Sequence, residues 1–411
     1  MLPNLVDLVK KRHTGTTMTF FILGSHPDIA RAEILAVLGQ STKIVAESST
    51  VLVVESVSVP LEVLQERLGG TIKIGTVLEE FPTLDARACV EMIAAKAGKA
   101  EGKNKITFGL SAYDLGNPNS VRKISNNFRT LGGEVKSRLK ELDRPVRFVQ
   151  AKEAALSSVV VLTNDLLKSG GEFVLLVTKT SIIIGKTATV QNFELWSRRD
   201  FGRPMRDTRS GMLPPKLARM MINLAGVDPK ETTLLDPFCG SGTILMEAAM
   251  IGYKKVIGSD NSEKAIADSK TNTDWFYAQT YIEKGTVYNN IQIVESPAET
   301  IDRVLKNPVD VIVGETYLGP PRRSNERAEM EKMIKGLMSL YRDSLIALAK
   351  QTKPNGVIVI AFPAFVIKND VIHLPLKKMI QEIGLTFDQA WIYKREDQQT
   401  AREIVRMIKR A

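Results

Sequence analysis

The chain has 411 residues, of which 44% are hydrophobic and 25% charged, and its net charge is +10. That length predicts two or three domains, the composition is that of an ordinary soluble protein, and the surplus of Lys and Arg favours polyanionic partners. Two cysteines, Cys89 and Cys239, and three histidines, His13, His26 and His373, speak against a disulfide framework and against a zinc cluster. The longest apolar run, VIVIAFPAFVI at 357–367, is short of the ~18 residues of a membrane span and is interrupted by Pro363. The opening MLPNLVDLVKKRH carries its charges after the apolar stretch, the wrong order for a signal peptide, so a cytoplasmic protein is expected.

Along the chain, Met18–Leu23 and Thr50–Glu55 read as strands. SHPDIARAEILAVLG reads as a helix stopped by Gly39, and PLEVLQERLGG as a second helix stopped by Gly69-Gly70. Residues to about 103 therefore form a small α+β module. A second module spans about 104–192. KITFGLSAY is its first strand, ISNNFRTLGGEVKSRLKEL a helix broken at Gly132-Gly133, and VRFVQ a further strand. LSSVVVLTNDLLKSGG holds a strand or helix, and EFVLLVTKTSIIIGKTATVQ a hairpin.

Residues 193–219 read as a connector rich in proline, glycine and arginine. Between 196 and 219, seven cations (Arg198, Arg199, Arg203, Arg206, Arg209, Lys216, Arg219) face only Asp200 and Asp207. The arginines either grip a phosphate backbone or form ion pairs between domains. A helix starts at Pro214, with proline tolerated in its first turn. Then strand and helix alternate: TTLLDPF, KKVIGSD, IQIVES, VDVIVGE, NGVIVIAFP and TFDQAWIYKR are the predicted strands. That alternation predicts an α/β fold with a mostly parallel, doubly wound sheet.

The chemistry concentrates at predicted strand tips. LLDPFCGSGTILMEAAM ends a buried strand in Asp236, then runs through Phe238, Gly240, Ser241 and Gly242 into a helix opening at Thr243. A dinucleotide loop would place a third glycine where Leu245 stands. Asp-x-Phe-x-Gly-x-Gly-Thr instead resembles the cofactor loop of S-adenosylmethionine methyltransferases, where Asp236 would favour a cationic sulfonium donor. Asp260, 24 residues further on, ends the next strand and is followed by Asn261. It either accepts from ribose hydroxyls or caps the helix that follows. The third strand ends in VESPAET, which places Ser296 and Ala298 on either side of Pro297 at the adenine position. The fourth delivers Glu315-Thr316-Tyr317-Leu318-Gly319 where enzymes that methylate base amines carry Asp-Pro-Pro-Tyr or Asn-Pro-Pro-Tyr. Glu315 would accept the exocyclic amine and Tyr317 would stack on the base. Gly319-Pro320-Pro321 would restore backbone rigidity. Cys239 reads as a small packing residue inside the loop.

Three segments carry a wider resemblance: FFILGSHPDIARAEILAVLG, GKTATVQNFELWSRRDFGRPMRDTRSGMLPPKLARMMINLA and LLDPFCGSGTILMEAAMIG. They are similar to the THUMP-domain tRNA guanosine N2-methyltransferases that act at tRNA position ten, and the likeness extends to the tail YKREDQQTAREIVRM. The resemblance implies a ferredoxin-like domain over 1–103, a THUMP RNA-binding domain over 104–192 and a basic linker over 193–219. A Rossmann-like methyltransferase domain follows over 220–411. It implies S-adenosyl-L-methionine as cofactor, tRNA as partner and no metal. Asp236, Phe238, Gly240, Gly242 and Asp260 would hold the donor, and the segment that includes Leu213 and Pro214 would close over it. Glu315 would be the catalytic acid, with Thr316 and Tyr317 beside it. Arg198, Arg199, Arg203, Arg206, Arg395 and Arg402 are the expected RNA contacts. Two further readings stay open: a tRNA-binding protein with a vestigial methyltransferase site, and a DNA adenine or cytosine methyltransferase. The arrangement of the first 190 residues opposes the second.

Overall fold

The computed structural model describes residues 17–81, 85–100, 105–206, 212–284, 290–320, 327–367, 370–395 and 398–411. The chain divides into two compact units. One comprises Met1–Arg31 and Leu38–Glu194, the other Ala32–Val37 and Leu195–Ala411.

The first unit begins β1 (Thr19–Leu23), α1 (Pro27–Leu38), β2 (Ile44–Glu47), β3 (Val51–Val54), α2 (Leu61–Arg67) and β4 (Thr71–Phe81). Gly39, at φ 91°, ends α1 in the left-handed conformation that glycine adopts without steric cost. The strand order β2-β3-β1-β4, with antiparallel neighbours throughout, is the ferredoxin-like pattern. The chain continues through α3 (Ala86–Ala97), β5 (Ile106–Asp114), α4 (Pro118–Asn126), α5 (Phe128–Lys140), β6 (Val146–Val149), α6 (Ser158–Thr163), β7 (Gly171–Val177) and β8 (Ile182–Val190). β8 pairs with the long strand β4, so the sheet runs on without interruption as β2-β3-β1-β4-β8-β7-β5-β6. The boundary expected near residue 103 thus falls between two halves of one eight-stranded sheet.

The helix break expected at Gly132-Gly133 lies instead at Asn127, between α4 and α5. Gly132 has a packing role inside α5. A methyl group there would come within 2.4 Å of the Phe148 ring, so the missing side chain admits that ring, which stacks on Phe108 at 5.1 Å.

A charged pair is sealed inside this sheet. Lys73 on β4 and Glu172 on β7 are 1% and 0% exposed and bonded to each other. Lys73 also donates to the Leu156 carbonyl at 2.6 Å, while Ser111 and Thr187 donate to the two Glu172 oxygens at 2.6 Å each. The pair survives burial because its main hydrogen-bonding capacity is met. Removing the cation leaves a carboxylate stranded in an apolar core. Lys73→Met is therefore expected to destabilise this unit by about 3–5 kcal/mol, read from the midpoint shift of a urea titration.

The second unit follows with α7 (Phe193–Phe201), α8 (Pro215–Leu224), β9 (Thr233–Asp236), α9 (Thr243–Ile251), β10 (Lys255–Asp260), α10 (Glu263–Lys284) and β11 (Ile291–Glu295). Next come α11 (Ile301–Val304), β12 (Val309–Glu315), α12 (Arg327–Gln351), β13 (Thr352–Ile367), β14 (Asp370–Ile372), α13 (Leu376–Glu382), β15 (Leu385–Tyr393) and β16 (Thr400–Lys409). The main sheet is ordered β11-β10-β9-β12-β13-β16-β15, parallel from β11 to β13, with β16 antiparallel to both β13 and β15. After β11 the chain returns to the other side of β9, so a crevice opens at the carboxyl ends of β9, β10 and β12. Leu235, Ile257, Ile312, Ile358 and Val405 belong to the core beneath it. β16 was not among the predicted strands: Arg402, Glu403 and Arg406 interrupt its apolar pattern, although Arg402 and Glu403 are buried. No helix among the described residues is long and apolar enough to cross a membrane.

Candidate active site

Each of the three central strands ends in a carboxylate. β9 delivers Asp236, β10 Asp260 and β12 Glu315, and all three line one cleft of about 450 Å³. That volume is in the range of small-molecule sites. Asp236 is 1% exposed and accepts from the Phe238 backbone N–H at 3.1 Å. Burial pushes its carboxyl well above the usual range. The Phe238 bond opposes this, and the nearby Asp260 and Glu315 add to it. Gly314, just before Glu315, lets the two strands meet: a methyl group there would lie 3.2 Å from Asp236 Oδ1 and 3.2 Å from Pro237 Cδ.

Asp260 organises the glycine loop. Its Oδ2 accepts from Gly240 N at 3.0 Å and its Oδ1 from Ser262 N at 3.0 Å. The helix-capping bond and the loop contact thus coexist on one side chain, and a carboxylate retains further lone pairs for a ligand. Gly242 precedes α9 at φ 83°, and a side chain there would meet Ser269 Oγ at 2.7 Å. Ser241, Thr243 and Asn261 line the cleft beside Gly240, and Phe238, Leu213 and Met212 contribute apolar surface. Cys239 lines it as well but is 5% exposed, its thiol pushed up by burial, which fits packing rather than nucleophilic chemistry.

The connector is anchored inside the unit. Asn272 on α10 accepts from Met205 N at 2.9 Å and donates to Met205 O at 2.9 Å and to Ser241 O at 2.8 Å. It thereby joins the connector to the cofactor loop. Arg203, 2% exposed, donates to Thr243 Oγ1. Arg199 and Arg219 bind opposite oxygens of Glu247 at 2.9 and 2.5 Å, and Arg199 stacks over Trp196 at 4.0 Å. Arg198, Arg206 and Arg395 face outward. Of the six arginines expected at RNA, Arg203 and Arg402 are therefore buried and Arg199 is drawn inward by a carboxylate. Arg209 and Asp207 fall outside the described residues.

Of the residues expected at the adenine, Ala298 lines the cleft, and so does Glu299, which was not singled out from the sequence. The Ser296 hydroxyl instead donates to the Pro297 carbonyl at 3.0 Å, and its backbone N–H to the Asp260 carbonyl at 2.9 Å. Pro214 is buried at the start of α8, away from the lining.

The Glu315-Thr316-Tyr317 stretch is held from three sides. Arg402 on β16 donates to Glu315 Oε1. Thr316 donates to the Ala361 carbonyl on β13 twice, from its backbone N–H at 3.0 Å and its hydroxyl at 3.1 Å. The Tyr341 hydroxyl on α12 donates to the Tyr317 carbonyl at 2.5 Å. The Tyr317 ring remains 55% exposed at the mouth of the cleft. Burial raises the Glu315 carboxyl above its ordinary value, and Arg402 pulls it back. The cleft can therefore hold a compact cation against Asp236 and Asp260 and present a hydrogen-bond acceptor to an amine beside a flat ring. Lys264 and Asp268, ion-paired at 2.5 Å and spaced i,i+4 on α10, also line it, although neither was singled out from the sequence.

Residues 203–382 match the UPF0020 family, described as an RMKL-like methyltransferase domain. The tRNA (guanine(10)-N2)-dimethyltransferase of Methanothermobacter thermautotrophicus is 24% identical over 352 residues, 85% of this chain and 89% of the relative. The enzyme of the same name from Pyrococcus abyssi is 34% identical over 112 residues, 27% of this chain and 30% of the relative. Among solved structures, TrmN from Thermus thermophilus shares the fold at a TM-score of 0.52 and 18% identity, covering 95% of this chain and 99% of its own. Over most of its length the chain is thus similar to tRNA (guanine(10)-N2)-dimethyltransferases, and its C-terminal unit carries a UPF0020-type, S-adenosylmethionine-dependent methyltransferase domain.

Proposed function

We propose that the chain transfers a methyl group from S-adenosylmethionine to the exocyclic N2 of guanosine in tRNA, at position ten, in the cytoplasm. The observation that carries this reading is the convergence of Glu315 with Asp236 and Asp260 in one cleft, at the tips of adjacent parallel strands. Bound there, the donor supplies an electrophilic methyl carbon. Asp236 favours its positive charge, Asp260 takes the ribose, and Ala298 and Glu299 flank the adenine. Leu213 and Met212 cover the ligand. Glu315 accepts one N–H of the guanine amine and Tyr317 stacks on the base. The guanine lone pair is delocalised, so rate depends on holding the amine in line with the methyl carbon. In the transfer the N–C bond would form as the S–C bond breaks with its electron pair left on sulfur, and the proton shed by the amine would pass to Glu315 and on to solvent.

Residues 104–192 act in this reading as a THUMP domain that holds tRNA, preceded by a ferredoxin-like domain over 1–103. The outward-facing Arg198, Arg206 and Arg395 reach phosphates. Phe201, 62% exposed and covered by Arg206 at 5.2 Å, offers a stacking surface beside them.

Three outcomes test the reading. Unmodified tRNA incubated with the protein and methyl-labelled donor should yield labelled N2-methylated guanosine by nucleoside mass spectrometry. Tight tRNA binding with no labelled nucleoside would instead make the site vestigial. Glu315→Ala should retain donor affinity within about twofold by calorimetry and lose about 100-fold or more in turnover. Arg198→Ala combined with Arg206→Ala should weaken tRNA binding and flatten its logarithmic salt dependence by about one to two units.

A further inference from the structure

We propose that Arg402 is a positioning residue for Glu315: it fixes the longer acidic side chain by one oxygen and leaves the other free for the guanine amine. This rests on the function proposed above. In the Asp-Pro-Pro-Tyr arrangement two prolines stiffen the backbone behind a short acid. Here the acid has one more rotatable bond, and Thr316 and Tyr317 stand where the prolines would be. A catalytic acceptor with an unrestrained extra torsion would spread over positions about 1 Å or more apart, a misplacement that costs about 100-fold in rate.

Tertiary tethers supply what the prolines do not. Thr316 is bonded twice to Ala361, and the Tyr317 carbonyl is bonded to Tyr341. Those contacts fix the backbone and leave the Glu315 side chain to Arg402. Sheet register explains why an arginine is required. Glu315 lies opposite Ala361 on β13, and Arg402 lies opposite Pro363 on the far side of that strand. All four side chains share one face, so the cation must cross an entire strand to reach the acid. Arginine has the length to cross, and its Nε–H reaches Glu315 Oε1. Arg402 is 3% exposed and the Glu315 side chain 15% exposed, so the contact is not a solvent-screened surface pair.

The pair also sets charge. Asp236, Asp260, Glu299, the Lys264–Asp268 pair and Tyr317 share the cleft with Glu315, and the Tyr341 phenol is bonded to the Tyr317 carbonyl. Burial favours the protonated acid, and Arg402 opposes it; among the described residues Arg402 is the counter-charge bonded to Glu315. The acceptor role requires the carboxylate. Removing Arg402 lifts the Glu315 titration, so the acidic limb of turnover moves to higher pH.

The experiment measures kcat, KM and the pH profile of the full chain on unmodified tRNA with labelled donor, for wild type, Arg402→Met, Arg402→Lys and Glu315→Gln. Arg402→Met should lose about 10–100-fold in kcat, with donor affinity and KM for tRNA within about twofold. Its acidic limb should shift up by about 1 unit or more. Arg402→Lys should recover part of the rate and most of the limb position. In a Glu315→Gln background, Arg402→Met should have little further effect on rate. Wild-type kcat and an unmoved limb in Arg402→Met would overturn the inference. So would equal losses in Met and Lys variants that track falling thermal stability while the limb stays fixed. A wild-type chain that labels another nucleoside overturns the guanosine reading, and the same variants then judge the tether on that product. A wild-type chain that labels nothing overturns both.

Discussion

Three carboxylates at the ends of adjacent parallel strands crowd into one partly buried cleft, and most of the second unit is arranged around that repulsion. Such crowding is costly in water-poor surroundings, and each acid meets it differently. Asp236 is driven toward its protonated form, Asp260 is held by two backbone N–H groups, and Glu315 is matched by Arg402. A ligand carrying positive charge relieves the remainder. The same feature that weakens the empty cleft therefore selects what enters it, and it explains why a basic protein keeps an acidic centre.

The strand tips were the legible part of the site. Short β-rich runs ending in an acid, followed by glycines or a turn, mark the carboxyl edge of a parallel sheet, and Asp236, Asp260 and Glu315 could be placed on one edge from spacing alone. The residues that hold that edge in place were not legible. Asn272 meets Met205 from 67 residues away, Tyr341 meets Tyr317 from 24, and Arg402 meets Glu315 from 87. Each is a polar residue in a helix or strand whose sequence neighbours give no hint of its partner. Arg402 misled most. As a charged residue in a broken apolar pattern it reads as surface, whereas the antiparallel entry of β16 turns it inward beside Glu315.

The first unit shows the converse. Its alternating strands and glycine-stopped helices were visible, but their union into one sheet was not, because β4 ends at Phe81 and β8 begins at Ile182, with most of the second module between them. The buried Lys73–Glu172 pair joins β4 to β7 across β8. It selects register: slipping β4 by one residue would turn Lys73 to the opposite face and leave Glu172 without its counter-ion.

The order in which β16 appears in the chain has a temporal consequence. Glu315 and the glycine loop are translated well before Arg402, and β16 inserts between β13 and β15 rather than adding at an edge. While the chain is still emerging, the sheet has a vacancy beside β13 and Glu315 has no counter-charge. Completion of this cleft is thus tied to β16, and a nascent chain halted before residue 400 would carry the glycine loop and Glu315 without Arg402.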